Sequence, residues 1–525
     1  MYRDYTMKQL VLPMDLEIKL QENDVAFHIH HLVESIPEKA FEGFYKTEGA
    51  PCYHPRMMLK IILCGYTQSA FSGRKIEALL TDSIRMMWLA QGYTPSYRTI
   101  NRFRIHPAMK ELLRQCFVQF RNCLVEEKMI DEEVIFIDGT KIEANANKFT
   151  FVWKKSVTGY HQKLMEKSGH LYDKLLEKEI IPELLREADG ELTVEELQNI
   201  LKAVEESIVS YDSQIENEQT GAERKNLRKA RKYSKEAKKQ LLDMIARKQK
   251  YQNDFKIFGE RNSYSKTDPD ATFMRMKDDY MKNGQLKAGY NLQIATAGQY
   301  TLAYDIYPNP TDVRTLIPFL NKIEQNYFSL PKYIAADAGY GSEQNYEEIL
   351  DRKEREALIP YGLYRKEQKK TYKNNPFYTG NWPYDVQGDY YICPNEKRLK
   401  YKYDSHRKDE YGYERTFRVY ECEDCSECPY RSECTRAKDG NNRKLRINIK
   451  WEEQKAYVRK QLSEEHTGAI YARRKIDVDP VFGNLKANLG FVRFSVRGKE
   501  KVSNETGLAL MAVNIRKFTV KWANC

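Results

Sequence analysis

Two short apolar runs that each stop on an aspartate constrain this chain more than any other feature. One reads Ile135-Phe136-Ile137-Asp138-Gly139-Thr140-Lys141-Ile142-Glu143-Ala144-Asn145-Ala146-Asn147-Lys148; the other is Ile334-Ala335-Ala336-Asp337-Ala338-Gly339-Tyr340-Gly341. An apolar run of this length, closed by turn residues, is the pattern of a buried strand. The Asp either turns the chain through its own backbone or is held at the sheet edge for a charged partner. In α/β sheets, ligands collect outside the carboxyl ends of strands, and glycine allows close approach to the backbone. Two such acids on neighbouring strands could share divalent ions. Mg²⁺ suits hard carboxylate oxygens and takes only one or two per ion beside water and phosphate. Two ions about 4 Å apart stabilise both the attacking and the leaving oxygen of a phosphodiester displacement.

The rest of the pattern makes the chain mixed α/β. Its 525 residues exceed one hydrophobic core, so several domains or large insertions are required. Up to about residue 129 the spacing is helical: Ile76, Leu79, Leu80, Ile84, Met87 and Trp88 recur every three or four residues and stop at Gly92. Ser96 can cap a short helix carrying Arg98, Arg102 and Arg104, which either meet phosphates or are solvated arginines of a bundle. Residues 160–251 are helical again, opened in part by a capping box, Thr193-x-x-Glu196, with Gly221 separating two antiparallel arms. Strand alternation returns at Tyr290, Leu292 and Ile294, and "TAGQ" turns the chain into "YTLAYDIY". Asp305 lies inside that strand and is set aside; Asp268, Asp270, Asp278 and Asp279 read as solvated or capping.

Charge and cysteine usage narrow the partners. With 86 Lys+Arg against 75 Asp+Glu the net charge is +11, compatible with a polyanion. The N-terminal residues lack the layout of a signal peptide and no apolar run is long enough to span a bilayer, so a cytoplasmic protein without membrane contact is expected. Ten cysteines in such a chain argue for a metal site or core thiols rather than disulfides. Cys422, Cys425, Cys428 and Cys434 are spaced for a structural Zn²⁺, with Cys393 as a fifth candidate and an iron–sulfur cluster as the alternative. Cys52, Cys64, Cys116 and Cys123 are dispersed and read as core thiols.

A third acid is supplied by "YARRKIDVDPVFGNLKAN": Asp479 precedes Lys486 by seven residues, about two helical turns, although Asp479-Pro480 is also an N-cap followed by proline. Together with "FIDGTKIEANANKFTFVWKK", "SKTDPDATFMRMKDDYMKNGQLKAGYNLQ", "ADAGYGS", "DPVFGNLKANLGFVRFSVRGKEKV" and "ALMAVNIRKF", it makes the chain resemble the DDE transposases of bacterial insertion sequences. The likeness is to the subgroup with a helical N-terminal domain.

That resemblance implies an RNase H-like catalytic core in which Asp138, Asp337 and Asp479 bind two Mg²⁺ ions (or Mn²⁺), with Lys486 as the lysine of a Tyr-Arg-Glu-Lys signature. It implies hydrolysis at each element end and transfer of the freed 3′-hydroxyl into target DNA. The partners would be double-stranded DNA, as terminal inverted repeats and target, and a second copy of the chain, in a nucleoid-associated homodimer. Lys141, Lys148, Lys287, Lys486, Arg493 and Arg497 are the expected phosphate contacts, beside Arg98 and Arg102. The expected domains are a helical DNA-binding or dimerisation domain (1–130), a core (131–155 and 260–371), a helical hairpin insertion (156–259), a Cys-rich zinc insertion (372–450) and a helical end of the core (451–525). Two departures stand out. Asp479 is one methylene shorter than the family Glu, with Asp477 and Glu505 as substitutes out of register, and Lys475 stands at the signature arginine with Arg474 one residue early. They keep open an alternative: a weakened descendant that binds DNA as a regulator.

Overall fold

A computed structural model describes residues 20–21, 23–45, 48, 51–183, 191–276, 284–438 and 440–522. Asp278 and Asp279 lie outside them. The chain forms two compact units, Met1–Ile142 with Tyr290–Cys525, and Glu143–Gly289.

In the first unit, the sheet is built from Tyr300–Tyr307, Leu286–Ala297, Val134–Glu143, Tyr333–Ala336 and Glu356–Leu358, neighbours in that order. Val134–Glu143 pairs parallel with Tyr333–Ala336, which pairs parallel with Glu356–Leu358. The other side is an antiparallel hairpin, Asn291 to Ala297 against Tyr300 to Tyr307. Its two loop residues, Gly298 (φ +59°) and Gln299 (φ +63°), both take positive φ, the type I′ geometry that matches strand twist. A Cβ at Gly298 would also lie 2.9 Å from the Met129 carbonyl oxygen, so this position requires glycine twice over. Ile135, Ile137, Ile334 and Ala336 bury one face against Leu316, Phe319, Leu320 and Ile323 of the helix Leu316–Asn326 and against Val458. This mixed α/β sheet is consistent with an RNase H-like core.

The expected helices form and share a core with the sheet. They include Val25–Ser35, Pro55–Thr67, Tyr97–Arg104 and Met109–Glu126. Asp24 caps the first of these by accepting from the Ala26 amide at 2.9 Å. The last helix, Lys499–Trp522, closes the unit: Phe120 packs on Phe518 (5.8 Å) and Tyr300 (5.9 Å), and buried Asn514 exchanges two hydrogen bonds with the Thr301 backbone at 2.9 and 2.7 Å. The N-terminal segment is therefore part of one unit with residues 290–525.

The Cys-rich stretch has a fold and a small core of its own. It forms a five-stranded antiparallel sheet around Trp382, Leu399, Tyr420, Cys422, Cys425 and Leu445. Its strand Arg398–Lys408 is almost wholly exposed, with only Leu399 buried, which hides the core from a periodicity argument.

The second unit holds the helices Lys154–Glu177, Val194–Asn217 and Gly221–Phe258 around Leu171, Leu175, Leu197, Ile200, Val204, Leu241 and Met244. The Thr193–Glu196 capping box forms with both of its bonds. The hairpin is thus joined by a further helix that begins at Lys154. Asp268 is fully buried here, which removes the first half of its reading as solvated or capping. Among the described residues no helix is long and apolar enough to cross a membrane.

Candidate active site

The pairing register puts Ile137 opposite Ala336, so Asp138 and Asp337 are the next residues on adjacent parallel strands, a spacing of about 4.8 Å between chains. Tyr333–Ala336 ends at that point, but Val134–Glu143 does not: it runs five residues beyond Asp138. The first strand was expected to stop at its acid. It continues because its other neighbour, Leu286–Ala297, still offers a ladder, while Asp138 has passed the end of the shorter partner.

Asp138 is buried, accepts the Gly139 amide at 2.7 Å, and takes Nη1 of Arg474 on its other oxygen at 2.9 Å. Asp337 is half-buried and caps a short turn, Ala338–Tyr340, by accepting the Gly339 amide at 2.7 Å. Both glycines have room for no side chain. A Cβ at Gly139 would run into the Gln293 amide and lie 2.9 Å from Asp312 Oδ1; one at Gly339 would lie 2.9 Å from Asp337 Oδ1.

Those contacts reveal a further acid. Asp312 accepts from Asn291 Nδ2 at 2.7 Å and Gln293 Nε2 at 3.0 Å. Tyr340 lies at the centre, fully buried, its hydroxyl donating to Gln293 Oε1. Burial first, then the charges of Asp312, Asp138 and Asp337, hold its phenol far above the usual range, so the three carboxylates share one neighbourhood. The sequence reading missed Asp312. The available signal was Asn291 and Gln293, amides on a central strand that are both buried and so require partners.

Asp479 is on the exposed face of its helix. Its helix, Glu465–Gly483, runs through Pro480, so Asp479 is no N-cap. Arg474, Asp477, Val478 and Val481 form the buried face, while Asp479 is exposed. Five residues past Arg474 at 100° each, it is turned about 140° from the side chain that meets Asp138. A π turn, Asn484–Asn488, follows and carries Lys486, so the seven-residue spacing no longer equals two α-turns. The substitute acids are engaged in structure. Asp477 accepts from Thr296 Oγ1 (2.6 Å) and the Gln299 amide (3.1 Å), and burial raises its pKa; Glu505 accepts the Ser495 amide at 2.9 Å.

Among the bases, Arg98, Arg102, Arg493 and Arg497 are exposed and Lys141 and Lys486 half-buried in the first unit. In the second, Lys148 is exposed and Lys287 pairs with Glu143 at 3.0 Å. Arg104 does not face solvent as the arginine-bearing helix suggested. It is buried and donates to Tyr66 Oη (2.8 Å), the Phe71 carbonyl (2.5 Å) and Asn101 Oδ1 (3.0 Å), locking the helices together.

Among the described residues, no three His, Cys, Asp or Glu side chains are gathered closely enough to hold a metal ion. Asp138 and Asp337 still offer the one or two hard carboxylates per ion that Mg²⁺ takes. Among the described residues the four cysteines form no metal-binding group, so neither zinc nor an iron–sulfur cluster is supported there. Cys434 Sγ accepts from Arg443 at 2.9 Å, Cys425 Sγ from the Arg443 amide at 3.4 Å, and Cys422 donates to the Asp424 carbonyl at 3.7 Å. Burial and the adjacent Cys425 push the Cys422 thiol up to about 12. Cys422 and Cys425 lie in the core of the five-stranded sheet, with Cys393 and Cys434 packed against it. The described cysteines form no disulfide.

Residues 14–106 match the family described as a transposase domain (DUF772), and residues 392–519 match the family described as a transposase DDE domain. No curated protein and no solved structure gives a significant match. Transposase domains matched near both ends of the chain, with a mixed α/β sheet between them that aligns two acids, support an insertion-sequence DDE transposase.

Proposed function

We propose that this transposase cuts a phosphodiester at each end of its element and joins the freed 3′-hydroxyl to target DNA, using two Mg²⁺ ions held by Asp138 and Asp337. The observation that carries this reading is the register that sets the two carboxylates side by side where one strand ends. Bound there, the ions supply charge stabilisation at the attacking and leaving oxygens. The chain's own residues do the rest. Gly139 leaves room for the Gln293 amide and Asp312 to close in on Asp138, and Gly339 leaves room for the Asp337 carboxylate that accepts its amide. Asn291 and Gln293 fix Asp312 beside the pair. Arg474 balances the charge of Asp138 against its like-charged neighbours. Lys141, Lys148, Lys287, Lys486, Arg98, Arg102, Arg493 and Arg497 hold backbone phosphates, which position DNA without reading its sequence. A homodimer pairs the two ends.

A second reading, a DNA-binding regulator with weakened catalysis, is favoured by the outward-facing Asp479. Incubation with duplexes carrying the element's terminal repeats and Mg²⁺ separates the two. Nicked and joined products support the transposase, nicks alone a metal-dependent nuclease, and retardation without cleavage the regulator.

A further inference from the structure

We propose that a cleft in the second unit, lined by Phe149, Phe151, Trp153 and Phe273, takes an unpaired nucleobase of a DNA strand whose phosphates lie along Lys148 and Lys287. This rests on the reading of the protein as acting on DNA and adds a binding site to it. The cavity measures about 220 Å³. That is below the roughly 300–1,000 Å³ of drug-sized pockets, so it suits a single planar ring system.

Its walls are aromatic. Phe151 meets Phe273 edge-on at 5.5 Å, and Trp153 lies tilted 5.7 Å from Phe151 and 6.3 Å from Phe273. Every base has a π face, so such rings bind bases with little regard to sequence. Phe149 is the most telling member. It is 75% exposed and its backbone takes φ +62°, an outlier for a bulky side chain.

The chain around it is tied down on both sides. The Asn147 amide donates to Thr267 Oγ1 at 3.1 Å, Thr150 Oγ1 donates to the Asn147 carbonyl at 2.8 Å, and the Lys266 amide donates to the Thr150 carbonyl at 2.8 Å. A solvent-facing ring held in a strained backbone conformation by the surrounding bonds is the pattern of a ligand clamp. Charge selects the occupant. Lys148 is exposed beside Phe149, and Lys287, paired with Glu143, lines the same cleft. A base bearing an anionic backbone matches an aromatic slot with lysines at its rim. An unpaired base also escapes most of the unstacking cost of entering it.

The test uses the full-length protein and three fluorescent 30-base-pair duplexes of one sequence: fully paired, with a single-nucleotide bulge, and with an abasic site in that bulge. Binding is followed by anisotropy without divalent metal. The expected result is tighter binding of the bulged duplex than of the other two. Phe149→Ala and Phe151→Ala should each weaken that preference by about 5- to 100-fold, the range of one lost stacking contact. Paired-duplex binding should be unchanged, and Phe149→Trp should retain the preference. Phe149 is exposed enough that its truncation leaves the fold intact, which thermal unfolding verifies. Equal affinity for all three duplexes, or a preference that survives both alanine variants, overturns the cleft alone. Failure to bind any duplex overturns the DNA reading with it. A change in sedimentation of Phe149→Ala without DNA also overturns the cleft, by assigning the patch to contact between copies.

Discussion

Replacing Arg474 by Met tests the candidate site without touching an acid. The guanidinium and the Asp138 carboxylate are 2.9 Å apart and their side chains only 10% and 11% exposed, so the pair is buried. Breaking a buried pair by removing one partner costs about 3–5 kcal/mol, because the remaining charge is left in low dielectric. Here that charge shares its surroundings with Asp337 and Asp312, which places the expected loss toward the upper end. If these acids bind cations, divalent metal should restore what the arginine supplied. At a hundredfold over its dissociation constant a ligand adds about 2.7 kcal/mol. The assay is urea unfolding of wild type and Arg474→Met, each in EDTA and in Mg²⁺. The variant should be strongly destabilised in EDTA and recover by about 2–3 kcal/mol in Mg²⁺, while the wild type, with Arg474 competing for Asp138, responds less. Adding Asp138→Asn to the variant should remove most of the Mg²⁺ recovery. A loss below about 1 kcal/mol, or identical Mg²⁺ responses, refutes the idea that Arg474 and cations occupy the same acid.

Asp138→Asn and Asp337→Asn should each reduce Mg²⁺-dependent nicking of terminal-repeat DNA by at least about a hundredfold, since even a ~1 Å displacement of a catalytic group costs that much; nicking at wild-type rate would exclude them as ligands. Asp312→Asn, which retains its shape beside Asn291 and Gln293, should raise the Mg²⁺ requirement about 10- to 100-fold, measured by titrating nicking against metal. Gly298→Ala should destabilise the protein by at least about 1–2 kcal/mol, the left-handed backbone penalty, to which the Met129 carbonyl contact adds; an unchanged urea midpoint contradicts the turn assignment. Burial, then the Lys60 ammonium 3.0 Å from its ring, lowers His30 to about 4, below the 6.5 of an exposed histidine. The unfolded chain therefore takes up this proton first, and stability should fall as pH drops from about 6.5 to 4. His30→Gln should flatten that part of the unfolding profile, and an unchanged slope would show that the ring is charged in the folded protein.

The sequence by itself determined several elements and the placing of Asp138 and Asp337 at the ends of two apolar runs. Apolar runs such as Ile135-Phe136-Ile137 and Ile334-Ala335-Ala336 can be little other than buried strands, and their identical endings announced paired carboxylates. The Thr193–Glu196 capping box and the "TAGQ" turn were equally legible, because each is a local bond pattern complete within a few residues. What failed depended on distant neighbours. Whether Asp138 ends its strand is decided by how far two other strands extend on either side of it. Asp312 sits in no recognisable run and becomes a site residue only because Asn291 and Gln293 reach it across the hairpin. The partner of Asp138 is Arg474, 336 positions away, while Asp479 is turned outward by the phase of the same helix. The cysteines show the same division: their spacing permits zinc, while only the fold shows that Cys422 and Cys425 join a hydrophobic core and that Arg443 reaches Cys434. Spacing along a chain fixes which groups can be neighbours; only the folded backbone fixes which direction each side chain points, and coordination and ion pairing depend on direction.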